Sequence, residues 1–130
     1  MSKAINSFDI DGVIFMGKYD GVYPGRDDVI ITGRSFEEEE ETFGMLRSKG
    51  INNRVFLNPL RFDQKTRSSS GEHKGRVIGD LMESGYRVMC HFEDDPIQAE
   101  IIKSMVPEVN VILLLHDLVE KENVRRTDWT

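Results

Sequence analysis

Two carboxylates stand one residue apart in Phe8-Asp9-Ile10-Asp11-Gly12-Val13, within the mostly apolar run INSFDIDGVIF at residues 5–15. An apolar run this short, closed by a turn, has the pattern of a buried strand. Anions at the end of such a strand repel each other and lose hydration. They persist there only if a cation or hydrogen bonds offset that loss. Gly12 lets the chain turn away and leaves both side chains in the crevice beyond the strand. The chemistry this suits is a divalent metal beside a nucleophile. An acidic turn after an edge strand is the plainer alternative, and the motifs further along weigh against it.

The elements that must position these groups alternate between strand and helix signals. After the first strand, the glycine-rich FMGKYDGVYPGRDD reads as a flap or loop. Val29-Ile30-Ile31-Thr32 is a short β-branched strand ending at Gly33. Ser35 and Glu38 form a capping box, with Phe36 placed as a staple, for a helix through residues 37–49 that closes at Gly50. Phe43, Leu46 and Met45 make its apolar face, and the glutamates at 37–41 read as a solvated first turn favoured by the helix dipole. A third strand is expected at 54–57, then the polar loop NPLRFDQKTRSSSG, whose serines suit a mobile segment over the crevice. A helix at 72–84 stops at Gly85, a fourth strand covers 87–92, and Pro96 opens a third helix with Ile97, Ile101 and Ile102 inward. A fifth strand covers 110–115, followed by a polar tail or short helix.

Repeated strand–helix–strand units specify an α/β fold. The expected architecture is one Rossmann-like domain over 1–130, with an approximately five-stranded, mainly parallel sheet and helices on both faces. In such sheets ligands bind beyond the carboxyl ends of the strands. Asp9 and Asp11, then Thr32, then Asp94 and Asp95 all fall at those ends.

Taken together these residues resemble the haloacid dehalogenase-like phosphohydrolases over most of the chain. The DxDG motif stands as Asp9-Ile10-Asp11-Gly12, the strand-end Ser/Thr as Thr32 in IITGR, the helix lysine as Lys74 in GEHKGR, and the acidic pair within Glu93-Asp94-Asp95. The resemblance implies Mg2+-dependent phosphoryl transfer through an aspartyl-phosphate. Asp9 would be the nucleophile, since a carboxylate is ionised at neutral pH without a separate base. Asp11 would protonate the leaving alkoxide and then activate water, a task for a carboxyl with a partly raised pKa. Thr32, with the Gly33 and Arg34 amides, would bind phosphoryl oxygen, and Lys74 would hold Asp9 and phosphate together. Metal ligands would come from Asp9, the Ile10 or Asp11 carbonyl and Asp94, with Asp11 and Asp95 counted in the acidic set. Lys65 rivals Lys74 for the lysine role, and strand register decides between Glu93 and Asp94.

Relatives commonly carry a cap domain, but the intervals from Asp11 to Thr32 and from Thr32 to Lys74 are too short for one. A minimal capless member is expected, open to bulky substrates or completed by a partner subunit. IITGRS followed by an acidic helix is similar to the 3′-phosphatase domain of phage-type polynucleotide kinases, with Arg34 at the position near substrate. Arg61, Lys65, Arg67 and Arg76 could line a phosphate-rich cleft or be solvated loop charges. Phe15, Tyr19 and Tyr23 could stack on a base or pack the flap down.

Bulk composition bounds the rest. With 38% hydrophobic and 31% charged residues the chain reads as a soluble globular protein, and no apolar run approaches a membrane span. MSKA leads straight into the first strand, so no signal peptide is expected, and a single cysteine, Cys90, excludes an internal disulfide and fits a reducing cytoplasm. Cys90 reads as a buried, inert strand thiol, and His73 as a neighbour of the helix start. A net charge of −6 weighs against broad nucleic-acid binding without excluding a local basic groove. The expected function is a Mg2+-dependent phosphomonoesterase acting on a nucleotide or nucleic-acid end. A broad small-molecule phosphatase and a noncatalytic binding module are the alternatives, and a homo-oligomer is allowed.

Overall fold

Alternating apolar residues divide the central strands into two faces. Ile5, Val29, Ile31 and Val88 point to one side, and Phe8, Ile30 and Phe92 to the other. The computed structural model describes residues 3–120. In chain order they form β1 (Lys3–Phe8), β2 (Phe15–Met16), β3 (Tyr19–Asp20), β4 (Val29–Ser35), a 3-10 turn (Phe36–Glu38), α1 (Glu39–Ser48), β5 (Val55–Asn58), α2 (Arg67–Glu83), β6 (Tyr86–Glu93), α3 (Pro96–Met105) and β7 (Asn110–Leu113). Five strands make one sheet in the order β5-β4-β1-β6-β7, with every neighbouring pair parallel. The α/β fold expected from sequence is present, and the sheet is wholly parallel among the described residues.

Helices cover both faces. Ile78 and Leu81 of α2 and Ile102 of α3 pack on Ile5, Val29, Ile31 and Val88. Leu46 of α1 joins Ile10, Val13 and Ile14 on the opposite side, where the Phe8 and Phe92 rings stack at 4.6 Å. Between Asp11 and β4 lies only the hairpin β2–β3 with its flanking loops, so the described chain carries no cap domain there.

Two features of this sheet set up the site. The strand order reverses at β1: the chain runs from β1 out to β4 and β5 on one side, then crosses back through α2 to β6 and β7 on the other. The crevice beyond the carboxyl ends of β1 and β6 is therefore the switch point where α/β sheets bind ligands. The second feature is a bulge. Ile5 pairs with Val88 but Asn6 with Cys90, which leaves Met89 as an extra residue in β6. Side chains alternate faces, so that one residue flips everything after it. His91 and Glu93 then face α2 together with Ser7, while Phe92 crosses to the α1 side to meet Phe8.

The structure corrects several boundaries. The second helix starts at Arg67, not Glu72, so Ser68, Ser69, Ser70 and Gly71 are its first turns rather than a mobile loop. The reason is a second capping box. Thr66 Oγ1 accepts the Ser69 N–H at 2.9 Å and Ser69 Oγ accepts the Thr66 N–H at 2.8 Å. The Ser35–Glu38 box is present, but it closes the 3-10 turn ahead of α1, and Phe36 is exposed rather than packed as a staple. Cys90 lies in β6 as expected, half-buried rather than buried. Residues 114–120 form no helix, and the end of the expected polar tail, 121–130, lies outside the described residues.

Loss of the second cap should be measurable. Thr66→Ala is expected to cost about 1 kcal/mol in urea denaturation, because the Ser69 amide loses its acceptor. A helix starting at residue 72 would leave that variant unchanged.

Candidate active site

Asp9 follows the last residue of β1 and keeps its direction, because its N–H still donates to the Phe92 carbonyl of β6 at 3.1 Å. The alternation of β1 therefore turns the Asp9 carboxylate toward α2. There Oδ1 accepts the Ile10 N–H at 2.8 Å and lies 3.2 Å from Lys74 Nζ. Lys74 projects from α2 and also donates to Glu93 Oε1 at 2.8 Å. Asp9, Lys74 and Glu93 are all buried. The chain turns at Gly12 with φ +87°, and a Cβ at that position would overlap the Asp94 carboxylate. A glycine is thus required twice over, for backbone conformation and for room.

Asp9, Glu93 and Asp94 bring one carboxylate oxygen each to within 4.8 Å of one another. Three buried carboxylates around one ammonium leave excess negative charge, and the acidities divide accordingly. Burial is the main influence raising Asp9 well above its ordinary 3.8, and Glu93 and Asp94 add repulsion that Lys74 opposes. Burial would raise Glu93 too, but Lys74 and a hydrogen-bonded histidine, His91, outweigh it and hold Glu93 well below its ordinary range. Lys74 therefore serves Glu93 first, leaving Asp9 the less compensated anion. Both Glu93 oxygens are engaged, Oε1 by Lys74 and His91, and Oε2 by the Asp95 N–H at 3.3 Å.

Asp11 lies outside this trio. Its two oxygens accept from Arg34 Nε at 2.9 Å and Nη2 at 2.8 Å, and Arg34 Nη1 reaches Thr42 Oγ1 of α1 at 3.2 Å. Thr32, fully buried in β4, accepts the Arg34 N–H on Oγ1 at 3.0 Å. β4 leaves its ladder with β5 between Ile31 and Ser35, so the Thr32-Gly33-Arg34 segment bows out of regular pairing. Lys65, the rival lysine, sits behind that bow. Its Nζ donates to the Gly33 carbonyl and to Glu38 Oε2, both at 3.1 Å. The structure brings Lys74, rather than Lys65, to Asp9.

Asp95 points elsewhere. It accepts from Arg67 Nε at 2.7 Å and from the Ile97 N–H at 2.9 Å, capping α3 and tying its start to that of α2. The expected basic cluster is divided as a result. Arg67 and Lys65 are buried in ion pairs, whereas Arg61 and Arg76 are exposed. His73 is buried in α2 with Nε2 3.4 Å from the Phe56 carbonyl, and burial lowers it to about 4. In the flap, Lys49 lies over the Phe15 and Tyr23 rings at 5.8 and 6.0 Å, while Tyr19 is exposed beside Lys18.

Sequence reasoning missed the pairing of Glu93 with Lys74 and the part played by His91. The strand pattern held a signal for both only if the bulge at Met89 had been known, because an unbulged β6 turns His91 and Glu93 away from α2. Compared with known proteins, the chain matches no family model and no curated protein.

The charge distribution carries a stability signature. A group raised in the folded state contributes stability that is full below its unfolded value and is lost as pH rises through the folded one. Asp9 therefore weakens the fold as pH climbs above 3.8, while Glu93 acts oppositely, its contribution being lost only as pH falls below its ordinary 4.5. With a chelator present, Asp9→Asn should gain stability over wild type in urea as pH rises, and parallel pH curves would contradict this. Lys74→Met should lose about 3–5 kcal/mol, because it strands buried anions without their cation.

Proposed function

We propose that the protein is a Mg2+-dependent phosphomonoesterase that carries the phosphoryl group on Asp9. The observation that carries this reading is the buried Asp9–Lys74 contact of 3.2 Å at the switch point, with Glu93 and Asp94 beside it. A carboxylate left under-compensated in a crevice is a competent nucleophile and a poor structural residue.

The donor set fits a hard divalent cation. It is all oxygen, anionic, and crowded against the Gly12 backbone. With Glu93 engaged on both oxygens, Asp9 and Asp94 are the favoured carboxylate ligands. The Ile10 carbonyl already accepts the Val13 and Phe15 amides at 3.1 and 2.9 Å, which favours the Asp11 carbonyl as the backbone ligand. Bound there, Mg2+ would neutralise charge on the phosphoryl oxygens.

Each side chain then has a part. Asp9 attacks phosphorus in line, and the Lys74 ammonium screens the approach of one anion to another. The Thr32 hydroxyl donates to a phosphoryl oxygen from the bowed end of β4. Arg34 offers a planar pair of N–H donors that suits phosphate as well as carboxylate. Its grip on Asp11 is read as the resting arrangement. Substrate phosphate draws Arg34 across, and the released Asp11 carboxylate takes a proton from solvent, delivers it to the leaving oxygen and, ionised again, takes a proton from the water that attacks the phospho-aspartate.

The uncapped crevice supports a substrate of some bulk, such as a nucleotide or nucleic-acid end, over a small sugar phosphate buried under a lid.

Phosphate release from an aryl phosphate should require both Mg2+ and Asp9, with Asp9→Asn lower by on the order of 10³-fold or more. Asp94→Asn should raise the Mg2+ concentration for half-maximal rate about tenfold. Full activity in Asp9→Asn would overturn the proposal. Rates on 3′-phosphorylated oligonucleotides, mononucleotides and sugar phosphates separate the nucleic-acid reading from a broad phosphatase.

A further inference from the structure

Behind the crevice a line of hydrogen bonds runs from β1 to the lysine. Ser7 and His91 face each other across the β1–β6 ladder, both fully buried. Ser7 Oγ lies 2.8 Å from His91 Nδ1, and His91 Nε2 lies 3.1 Å from Glu93 Oε1. The same Oε1 accepts Lys74 Nζ at 2.8 Å, and Lys74 Nζ reaches Asp9 Oδ1 at 3.2 Å.

The carboxylate end fixes the sense of every bond in this line. An ionised Glu93 has no proton to give, so His91 Nε2 must donate to it. In a neutral ring Nδ1 then accepts, which makes the Ser7 hydroxyl the donor. Glu93 thereby selects the tautomer with the proton on Nε2, and the Ser7 hydroxyl, donating to Nδ1, braces the ring from the other side. Neither residue reaches the crevice itself.

We infer that His91, an Nε2–H donor braced by Ser7, is a positioning residue that keeps Glu93 on Lys74 and so sets how Lys74 is shared with Asp9. The inference rests on the reading of Asp9 as the nucleophile. Lys74 stands between two carboxylates, 2.8 Å from Glu93 and 3.2 Å from Asp9. Without the His91 N–H, Glu93 is held only by Lys74 and by the longer Asp95 N–H bond of 3.3 Å, and Lys74 shifts toward Asp9 Oδ1. A carboxylate oxygen paired that closely is a weaker nucleophile. The effect falls on the chemical step, because Thr32 and Arg34, which would meet the substrate, lie on β4 and do not touch this line.

The test pairs kinetics with a spectrum. His91→Leu removes the donor, whereas His91→Gln places an amide N–H where Nε2 stood. We expect the leucine variant to lose ~10–100-fold in kcat with KM little changed, as for other outer hydrogen-bond partners, and the glutamine variant to recover most of it. In wild type, long-range proton–nitrogen NMR should show His91 neutral with its proton on Nε2, and Ser7→Ala, which leaves Nδ1 without its donor, should lower kcat at unchanged KM. Equal kcat in the leucine and glutamine variants, or a wild-type proton on Nδ1, would overturn the inference. If the leucine variant does not fold, Ser7→Ala decides: a lowered kcat at unchanged KM supports the inference, and a wild-type kcat overturns it. A wild type that releases no phosphate would overturn the functional reading instead, while the ring spectrum still tests the bond from His91 to Glu93.

Discussion

One buried ammonium holds the carboxyl end of this sheet together. Lys74 is the cation that the central carboxylates share, and Glu93 takes the larger part of it. Removing charges from water is costly, and a lone lysine at this depth would favour its neutral form. Here acids at the ends of two different strands, Asp9 and Glu93, converge on the ammonium. Those acids in turn tolerate burial only because it is there. The fold and the proposed chemistry therefore rest on the same contact, and a change that weakens one weakens the other.

Much of the surrounding structure serves to bring that contact about. The reversal of strand order at β1 opens the crevice between β1 and β6. The extra residue in β6 turns Glu93 toward α2, and the Thr66–Ser69 box starts α2 two turns ahead of Lys74. Arg67 and Asp95 then fix the starts of α2 and α3 against each other. Acidic residues that look equivalent in sequence end with different work. Glu93 orients the lysine, Asp94 packs against Gly12, and Asp95 caps a helix.

The parts legible in the sequence were those set by local pattern. Alternating strand and helix signals suffice for the α/β sheet, and the INSFDIDGVIF run suffices to put Asp9 at a strand end. Thr32 was legible as a residue of β4, although the strand runs on to Ser35 rather than ending at Gly33, and Pro96 was legible as a helix start. What stayed hidden depends on register and on contacts far apart in the chain. No local pattern marks Met89 as a bulge, so the facing of His91 and Glu93 could not be read. Ser68-Ser69-Ser70-Gly71 has loop composition, and only the reciprocal bonds of Thr66 and Ser69 make it helical. Lys65 and Lys74 are alike in sequence. Capture of Lys65 by Gly33 and Glu38, which flank the capping serine, is what separates them. The Asp11–Arg34 pair spans two strand ends and leaves no mark in either segment.

The central claim is that Asp9 itself forms the covalent bond to phosphorus. Acid quenching of the protein during turnover of a labelled aryl phosphate with Mg2+, followed by peptide mapping, tests it most directly. The account predicts label in the peptide containing Asp9, released by hydroxylamine as an acyl phosphate would be. Steady turnover with no label on that peptide, or with label on another residue, would contradict it.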